Sequence, residues 1–277
     1  TRGLEVSRPQ EELVAEAARL VADGAKEITL LGQNVNSYGR DLRDAGATTF
    51  SGLLRELDQI DGLSRLRYTS PHPKDIREDV VAAHAELDSL CEHIHLPLQA
   101  GSTRVLKAMR RTYSRERYLA KVQMIRDALP DIAISTDIIV GFPGETEEDF
   151  LETLEVVDEV GFDAAFTYIY SPRRDTEAAS LGKQIDHEVK VERLQRLIAL
   201  THDRARETGQ RFVGRDLEVM VEGVSRTDES RIRGRTRHNK AVNFDGVATE
   251  GELVEVRIEA ASSLTLDGTQ VLASLPA

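Results

Sequence analysis

Five short apolar segments recur along this chain, and each one ends in a cluster of polar residues. The segments begin at Ile28, Leu66, Ile94, Ile132 and Ala165, with helical patterns between one segment and the next. Short apolar runs are typical of parallel strands that are buried on both faces. Because ligands bind where such strands end, the pattern predicts an α/β protein, a partial (β/α) TIM-like barrel with polar groups at one rim.

Two of the predicted helices have clear signals. Thr146 followed by Asp149 is a capping-box pattern, which predicts that a helix begins there. A longer helix is predicted from about His187 to Glu207. The spacing of its residues places one side inward, formed by Val191, Leu194, Ile198 and Thr201.

The pattern changes after Gly209 to an alternation of apolar and polar residues. Residues 217–223 and 253–258 both alternate, and glycines separate the short segments around them. We therefore predict a small all-β barrel of five strands and of OB-like size. The predicted domains are residues 1–208 and 209–277.

Composition limits the classes of protein that fit. The chain has 277 residues, of which 40% are hydrophobic, and no apolar stretch long enough to span a membrane. Its one cysteine, Cys91, suits a reducing compartment, so we expect a cytoplasmic protein. The net charge of −12 argues against general nucleic-acid binding and requires any such contact to be local. No secretory signal opens the chain. Because the chain does not begin with Met, we expect a piece of a longer protein.

Amide and hydroxyl side chains follow two of the apolar segments. Gln33 and Asn34 can donate and accept hydrogen bonds, which suits a nucleoside or an amino acid, although turn chemistry explains them equally well. Gln99 and Ser102 follow the third segment, where Gly101 would let the backbone approach a ligand closely. Ser102 also fits a simple helix cap.

One acidic residue and three histidines lie near strand ends. Asp137 lies within an apolar strand, where burial of an acid is costly, so we expect it to face the lumen or the rim. His93 and His95 have the spacing of two metal ligands on one strand, and His72 ends the preceding strand. A metal-dependent hydrolase would also need a histidine at a late strand end, which is missing, so core histidines are the simpler explanation.

A basic cluster in the predicted barrel could bind RNA. Its members are Arg226, Arg231, Arg233, Arg235, Arg237 and Lys240. Alternating basic residues on one edge of a small barrel could follow a phosphate backbone. A solvated hairpin explains the same spacing.

Together these segments resemble the methylthiotransferase branch of the radical S-adenosylmethionine enzymes. The resemblance rests on TRGLEVSRP at 1–9, GQNVNSYG at 32–39, SPHP at 70–73, HLPLQAGS at 95–102, MRRTYSRERY at 109–118 and STDIIVGFPGETEEDF at 135–150. The segment GRTRHNKAVNF at 234–244 resembles the TRAM module of that branch, an RNA-binding barrel. The GQNVN sequence is typical of the members that modify tRNA rather than a ribosomal protein.

The resemblance implies cofactors, a substrate and a site. Members of this branch bind a [4Fe-4S] cluster through CxxxCxxC and cleave S-adenosylmethionine to a 5′-deoxyadenosyl radical, and an auxiliary [4Fe-4S] cluster supplies sulfur. The implied reaction adds a methylthio group to C2 of the prenylated adenosine beside the tRNA anticodon. Carried onto this chain, the pocket for S-adenosylmethionine and nucleoside would include Gln33, Asn34, Gln99, Ser102 and Asp137. The basic cluster of the barrel would hold the anticodon stem-loop.

Two features depart from that family. The CxxxCxxC motif is absent, and Cys91 alone cannot supply the several thiolates that a [4Fe-4S] cluster needs, so we expect no catalytic residue and no activity in this chain by itself. The loop at 171–177 also lacks the RPGTPA-like turn of the family. The alternative functions to this enzyme family are an RNA-binding adaptor without catalysis and the metal-dependent hydrolase. We also expect a monomer that binds no membrane.

Overall fold

The computed structural model describes residues 5–42, 48–172, 181–226 and 228–272. The chain divides into two compact units, Thr1–Pro97 with Glu116–Ile132, and Leu98–Arg115 with Ala133–Ala277. The divergent loop at 171–177 lies outside the described residues from position 173 onward. Within the described ranges, no helix is both long enough and apolar enough to cross a membrane.

The first unit packs helices against short parallel strands. Its helices are α1 (Gln10–Ala22), α2 (Phe50–Asp58), α3 (Glu78–Glu86) and all but the first residue of α5 (Arg115–Ala128). Strands β1 (Glu27–Leu30) and β2 (Arg65–Tyr68) pair in parallel, and β3 (His93–His95) follows them in the chain. Two 3-10 turns, Val35–Ser37 and Pro73–Asp75, follow β1 and β2 and form the polar rim.

The second unit contains two longer parallel strands and three helices besides the barrel. These elements are α4 (Thr103–Ala108), β4 (Ala133–Val140), α6 (Glu147–Val160), β5 (Ala164–Ile169) and α7 (His187–Gly209). The capping box is confirmed, because the Thr146 hydroxyl accepts the N–H of Asp149 and the Asp149 carboxylate accepts the N–H of Thr146. This cap fixes the start of α6 directly after the loop that ends β4.

The inward side of α7 differs from the prediction. Of the four residues predicted to face inward only Thr201 is buried, and the buried side instead includes Lys190, Arg193 and Leu197. Two long basic side chains turn inward because they find oxygen acceptors there: Arg193 bonds to Glu145, and the Lys190 ammonium lies 3.4 Å from a main-chain carbonyl. A pattern based on apolar spacing alone cannot identify that side.

The predicted five-stranded barrel is confirmed. Strands β6 (Asp216–Val224), β7 (Ile232–Thr236), β8 (Ala241–Asp245), β9 (Leu253–Ala261) and β10 (Thr265–Gln270) close in the order β10-β8-β7-β6-β9. Its core is apolar and includes Phe212, Val219, Val242, Phe244 and Val256. The helix α7 ends at Gly209, and the division at 208/209 stays a prediction.

Candidate functional site

Amide side chains tie together the loops that follow β1 and β2. The Asn34 Nδ2 donates to Asp75 Oδ2 at 2.7 Å, and the backbone N–H of His72 donates to Oδ1 of both Asn34 and Asn36 at 3.2 and 2.9 Å. Burial opposes ionisation of Asp75, but hydrogen bonds from Asn34 and Arg40 hold its pKa below the usual range. Asn34 is therefore part of the frame of this rim, with both ends of its amide bonded to protein.

Gln33 borders a cleft of about 250 Å³ in the first unit. The cleft lies between residues 5–8 and residues 31–35, and Asn34 also lines it. Gln33 is exposed, so its amide is available at this surface. The volume is near the lower end of small-molecule sites, roughly 300–1,000 Å³, which suits one part of a larger ligand.

In the second unit the structure brings Gln99 and Asp137 together through their backbones. The N–H of Gln99 donates to the carbonyl of Asp137 at 2.8 Å, and the N–H of Ile139 donates to the carbonyl of Gln99 at 2.9 Å. These bonds hold Gln99 at φ 70°, a left-handed conformation that is uncommon for residues other than glycine. Strained backbone of this kind clusters at binding sites, and it lies here beside the half-buried Asp137.

Ser102 bonds to a neighbouring helix rather than capping its own. It precedes α4 but makes no cap hydrogen bond, and its hydroxyl donates instead to Asp149 Oδ1 at 2.6 Å. Arg104 also pairs with the Asp149 carboxylate. Although burial opposes ionisation, the hydrogen bonds from Arg104, Ser102 and Thr146 hold the pKa of Asp149 below its usual range. This network anchors the loop that carries Gln99.

Gly101 is required by packing within the protein. A Cβ at this position would lie 2.4 Å from the Thr153 Cα, a distance that atoms cannot occupy. The N–H of Gly101 also donates to the Thr153 hydroxyl at 2.9 Å. The close approach inferred from the sequence is therefore to α6 and not to a ligand.

Glu145 and Arg193 form a buried ion pair that no sequence pattern predicted. The Arg193 Nη1 lies 2.8 Å from Glu145 Oε1, which also accepts the N–H of Gly141 at 3.0 Å. Burial raises the pKa of Glu145, and the bonds from Gly141 and Arg193 oppose that rise. The pair braces the loop after β4 from a helix far along the chain, and no local sequence signal indicates it.

The histidines do not form a metal site in the described part of the chain. There, no three His, Cys, Asp or Glu side chains are grouped as metal ligands. The His72 Nδ1 accepts the N–H of Lys74 at 3.2 Å, so this ring closes a turn. The metal-dependent hydrolase gains no support from this arrangement.

A [4Fe-4S] cluster does not fit the residues of this chain. Cys91 is its one cysteine and is buried, with 1% of its surface exposed. Such a cluster is held by several cysteine thiolates, so its ligands are not among these residues.

The basic cluster of the barrel is partly neutralised by acids. Glu222, the extra residue of a bulge in β6, lies 2.6 Å from Arg235 Nε and 3.4 Å from Arg233 Nε. Arg231 Nη1 lies 2.6 Å from Asp267 Oδ1. Three of the six residues, Arg231, Arg233 and Arg235, are therefore paired with carboxylates. Arg226 is exposed and Arg237 is half-buried.

The assignment of Lys240 to the RNA surface is corrected by the structure. The side chain is buried, and its Nζ donates to the main-chain carbonyl of Asp163 at 2.6 Å. Burial lowers the pKa of Lys240, while the nearby Asp163 carboxylate raises it. Its ammonium therefore makes a buried contact within the protein and is not part of the barrel surface.

The described residues form parallel strands with polar ends, followed by a closed five-stranded barrel, and comparison with known proteins identifies both parts. Residues 1–157 match the family model of the Radical SAM superfamily, and residues 210–271 match that of the TRAM domain. The chain belongs to the radical SAM superfamily, and it carries a TRAM domain after a partial α/β radical SAM fold. The resemblance found in the sequence is confirmed.

The similar curated proteins share one description. The chain is 49% identical over 271 residues to the tRNA-2-methylthio-N(6)-dimethylallyladenosine synthase of Acetivibrio thermocellus. It is 50% identical over 272 residues to the protein of the same description from Thermoanaerobacter sp.. Both alignments cover 98% of this chain but 56% and 57% of the relatives, so the chain spans little more than half of their length.

A solved structure supports the fold. Coproporphyrinogen III oxidase from Escherichia coli, described as a radical SAM enzyme, superposes with a TM-score of 0.51 at 12% sequence identity. The match covers 98% of this chain and 67% of that chain. At this identity the comparison bears on the fold alone.

Proposed function

We propose that this chain is the substrate- and S-adenosylmethionine-binding part of a tRNA methylthiotransferase. The whole enzyme would add a methylthio group to C2 of N6-dimethylallyladenosine next to the anticodon. The observation that carries this proposal is the identity of about half of all residues across 98% of the chain, through both the radical SAM part and the barrel.

Polar residues of each unit are separate candidates to bind the cofactor. S-adenosylmethionine offers an amino-acid tail, a ribose and a base, and the exposed amide of Gln33 in the first unit or the amide of Gln99 in the second can donate to and accept from such groups. Asn34, whose amide is bonded to Asp75 and His72, would hold the loop beside Gln33 in shape. The carboxylate of Asp137, which lies beside Gln99, would accept a hydrogen bond from the nucleoside substrate. Ser102 would act through Asp149, by holding the Gln99 loop in place. When bound, S-adenosylmethionine supplies the radical that activates the substrate.

The barrel would bind the anticodon stem-loop through its phosphates. Arg226, Arg233, Arg235 and Arg237 remain candidates, since none of them is buried. Arg231 is held by Asp267 and would contribute less. Phosphate contacts of this kind position an RNA without reading its sequence.

We infer that this chain alone does not modify tRNA, because one buried cysteine cannot hold a cluster. The sulfur donor and the electron donor would also have to come from elsewhere. The runner-up is an RNA-binding adaptor without catalysis, which predicts the same tRNA affinity but no iron at any chain length.

The decisive experiment compares this chain with the product of the same gene extended upstream. Both are reconstituted anaerobically with iron and sulfide and then incubated with tRNA that carries N6-dimethylallyladenosine. We expect the extended protein to bind iron and form the 2-methylthio nucleoside, measured by mass spectrometry, and this chain to bind tRNA only. An extended protein that binds tRNA without iron or product would support the adaptor and overturn the proposal.

A further inference from the structure

Two aromatic side chains on β5 are exposed, unlike the other phenylalanine and tyrosine side chains of the chain. The sequence contains seven phenylalanines and six tyrosines, and all of them lie within the described residues. Only Phe166 and Tyr168 are exposed, at 53% and 51% of their surface, among these thirteen rings. Large exposed aromatic surface is a recognised mark of a binding site, so this pair requires an explanation.

Both rings lie on one face of the sheet beside the predicted site. In the parallel register of β4 and β5, Phe166 is opposite Asp137 and Tyr168 is opposite Ile139. Side chains at paired positions share a face, so these four residues form one surface. Asp137 and Ile139 are half-buried, whereas Ile138, which alternates with them along β4, is buried on the other face.

The composition of this surface suits a nucleobase. Bases stack on exposed aromatic rings, and stacking tolerates any base because each has a π-face. The neighbouring carboxylate favours a purine with an exocyclic amine, since Asp137 can accept a hydrogen bond from that N–H. The neighbouring Ile139 supplies apolar surface for a substituent on that amine.

We propose that Phe166 and Tyr168 form a stacking surface for the purine base on which the enzyme acts, with Asp137 accepting the N6–H of that base. This inference rests on the proposed function, and it adds Phe166 and Tyr168, which no sequence signal indicated, to Asp137. An adenosine within a stacked anticodon loop would have to leave its stack to reach this surface, and the two rings would replace the lost stacking partners. The adenine of S-adenosylmethionine has the same chemistry. The test must therefore distinguish binding of the tRNA base from binding of the cofactor's adenine.

A tryptophan probe gives a direct measurement, because the chain contains no tryptophan. In Tyr168→Trp the single indole would report on any base that stacks against it. We expect saturable quenching by an anticodon stem-loop RNA that carries N6-dimethylallyladenosine. The same RNA with unmodified adenosine should bind roughly tenfold more weakly, because it lacks the apolar substituent that Ile139 would cover. Adding Phe166→Leu should weaken the quenching by a similar factor. Val247→Trp, at an 83% exposed position of the barrel, is the control and should not distinguish the two RNAs.

Each outcome has a defined meaning. Quenching by S-adenosylmethionine but not by the prenylated RNA would assign the surface to the cofactor and overturn the inference. Equal quenching by both RNAs, or none, would also overturn it. A parallel assay keeps the proposed function separate: the upstream-extended enzyme with Phe166→Leu and Tyr168→Leu should need roughly tenfold more prenylated tRNA for half-maximal rate. If the unaltered extended enzyme forms product and the double variant matches it, the function stands and the inference fails.

Discussion

Arg193 on α7 reaches Glu145 at the end of the loop after β4, with 2.8 Å between guanidinium and carboxylate. Both side chains are buried, at 6% and 2% exposure, and 48 residues separate them in the chain. A buried carboxylate needs such a partner, because without one the cost of removing it from water is not offset. The pair therefore controls the stability of the loop that follows Asp137.

The first prediction concerns this pair. Arg193→Met should lower the free energy of unfolding by about 3 kcal/mol at neutral pH, since Glu145 is left buried and ionised. The pKa of Glu145 is already raised in the folded protein, so stability falls as pH rises from the unfolded value through the folded one. The variant should enlarge that fall, which urea unfolding between pH 5 and pH 8 would measure.

The matched control is Arg196→Met on the same helix. Arg196 is 38% exposed and pairs with Glu147, so its loss should cost less than about 1 kcal/mol at any of these pH values. Equal decreases in the free energy of unfolding for the two variants would show that the buried pair with Glu145 contributes no more to stability than an exposed pair.

The second prediction concerns Asp149. Its folded pKa is depressed, so its contribution to stability is present above the unfolded pKa near 4 and is lost as pH falls toward the folded value. Asp149→Asn should cost about 2 kcal/mol at pH 7, and the difference from the unaltered chain should shrink below pH 4. Asp158→Asn, at a 58% exposed position of the same helix, should have little effect at either pH. A pH-independent loss at Asp149 would contradict the assignment.

The third prediction uses Glu222, which contacts both Arg233 and Arg235. Glu222→Gln should release these two arginines and tighten tRNA binding about threefold, with a steeper dependence on salt. Glu250→Gln removes the same charge at an exposed position of the barrel and serves as the control. Filter binding at several salt concentrations would measure both, and equal effects would indicate a general charge effect only.

The fourth prediction removes the arginines themselves. Replacing Arg233, Arg235 and Arg237 by Ala should weaken tRNA binding, and the slope of log affinity against log salt should become shallower by roughly two to three. Unchanged affinity would contradict the assignment of this edge of the barrel to RNA.

The fifth prediction separates Lys240 from that group. Lys240→Met should leave the salt slope of tRNA binding unchanged, because the ammonium is buried against Asp163. It should instead lower the free energy of unfolding by about 2 kcal/mol through loss of a charged hydrogen bond. A shallower slope with normal stability would restore Lys240 to the RNA surface.

The local sequence pattern was sufficient to predict the helices and strands named here. The Thr146 capping box, the positions of β4 and β5 and the five strands after Gly209 all follow from spacing and turn residues. The inward side of α7 could not be predicted in this way. A long basic side chain is buried only where the fold provides a hydrogen-bond acceptor for it, and it is exposed elsewhere. Apolar spacing carries no information about that acceptor.

The sequence by itself determined the order of the elements and the family, since each depends on residues close together in the chain. Tertiary structure alone decided what each polar group contacts. It joined Ser102 to Asp149, placed Gly101 against α6 and left Phe166 and Tyr168 exposed beside Asp137. The physical reason is that hydrogen bonding and burial depend on distance in space. Ser102 and Asp149 are 47 residues apart in the chain and Gly101 and Thr153 are 52 apart, while Phe166 and Asp137 are paired on neighbouring strands.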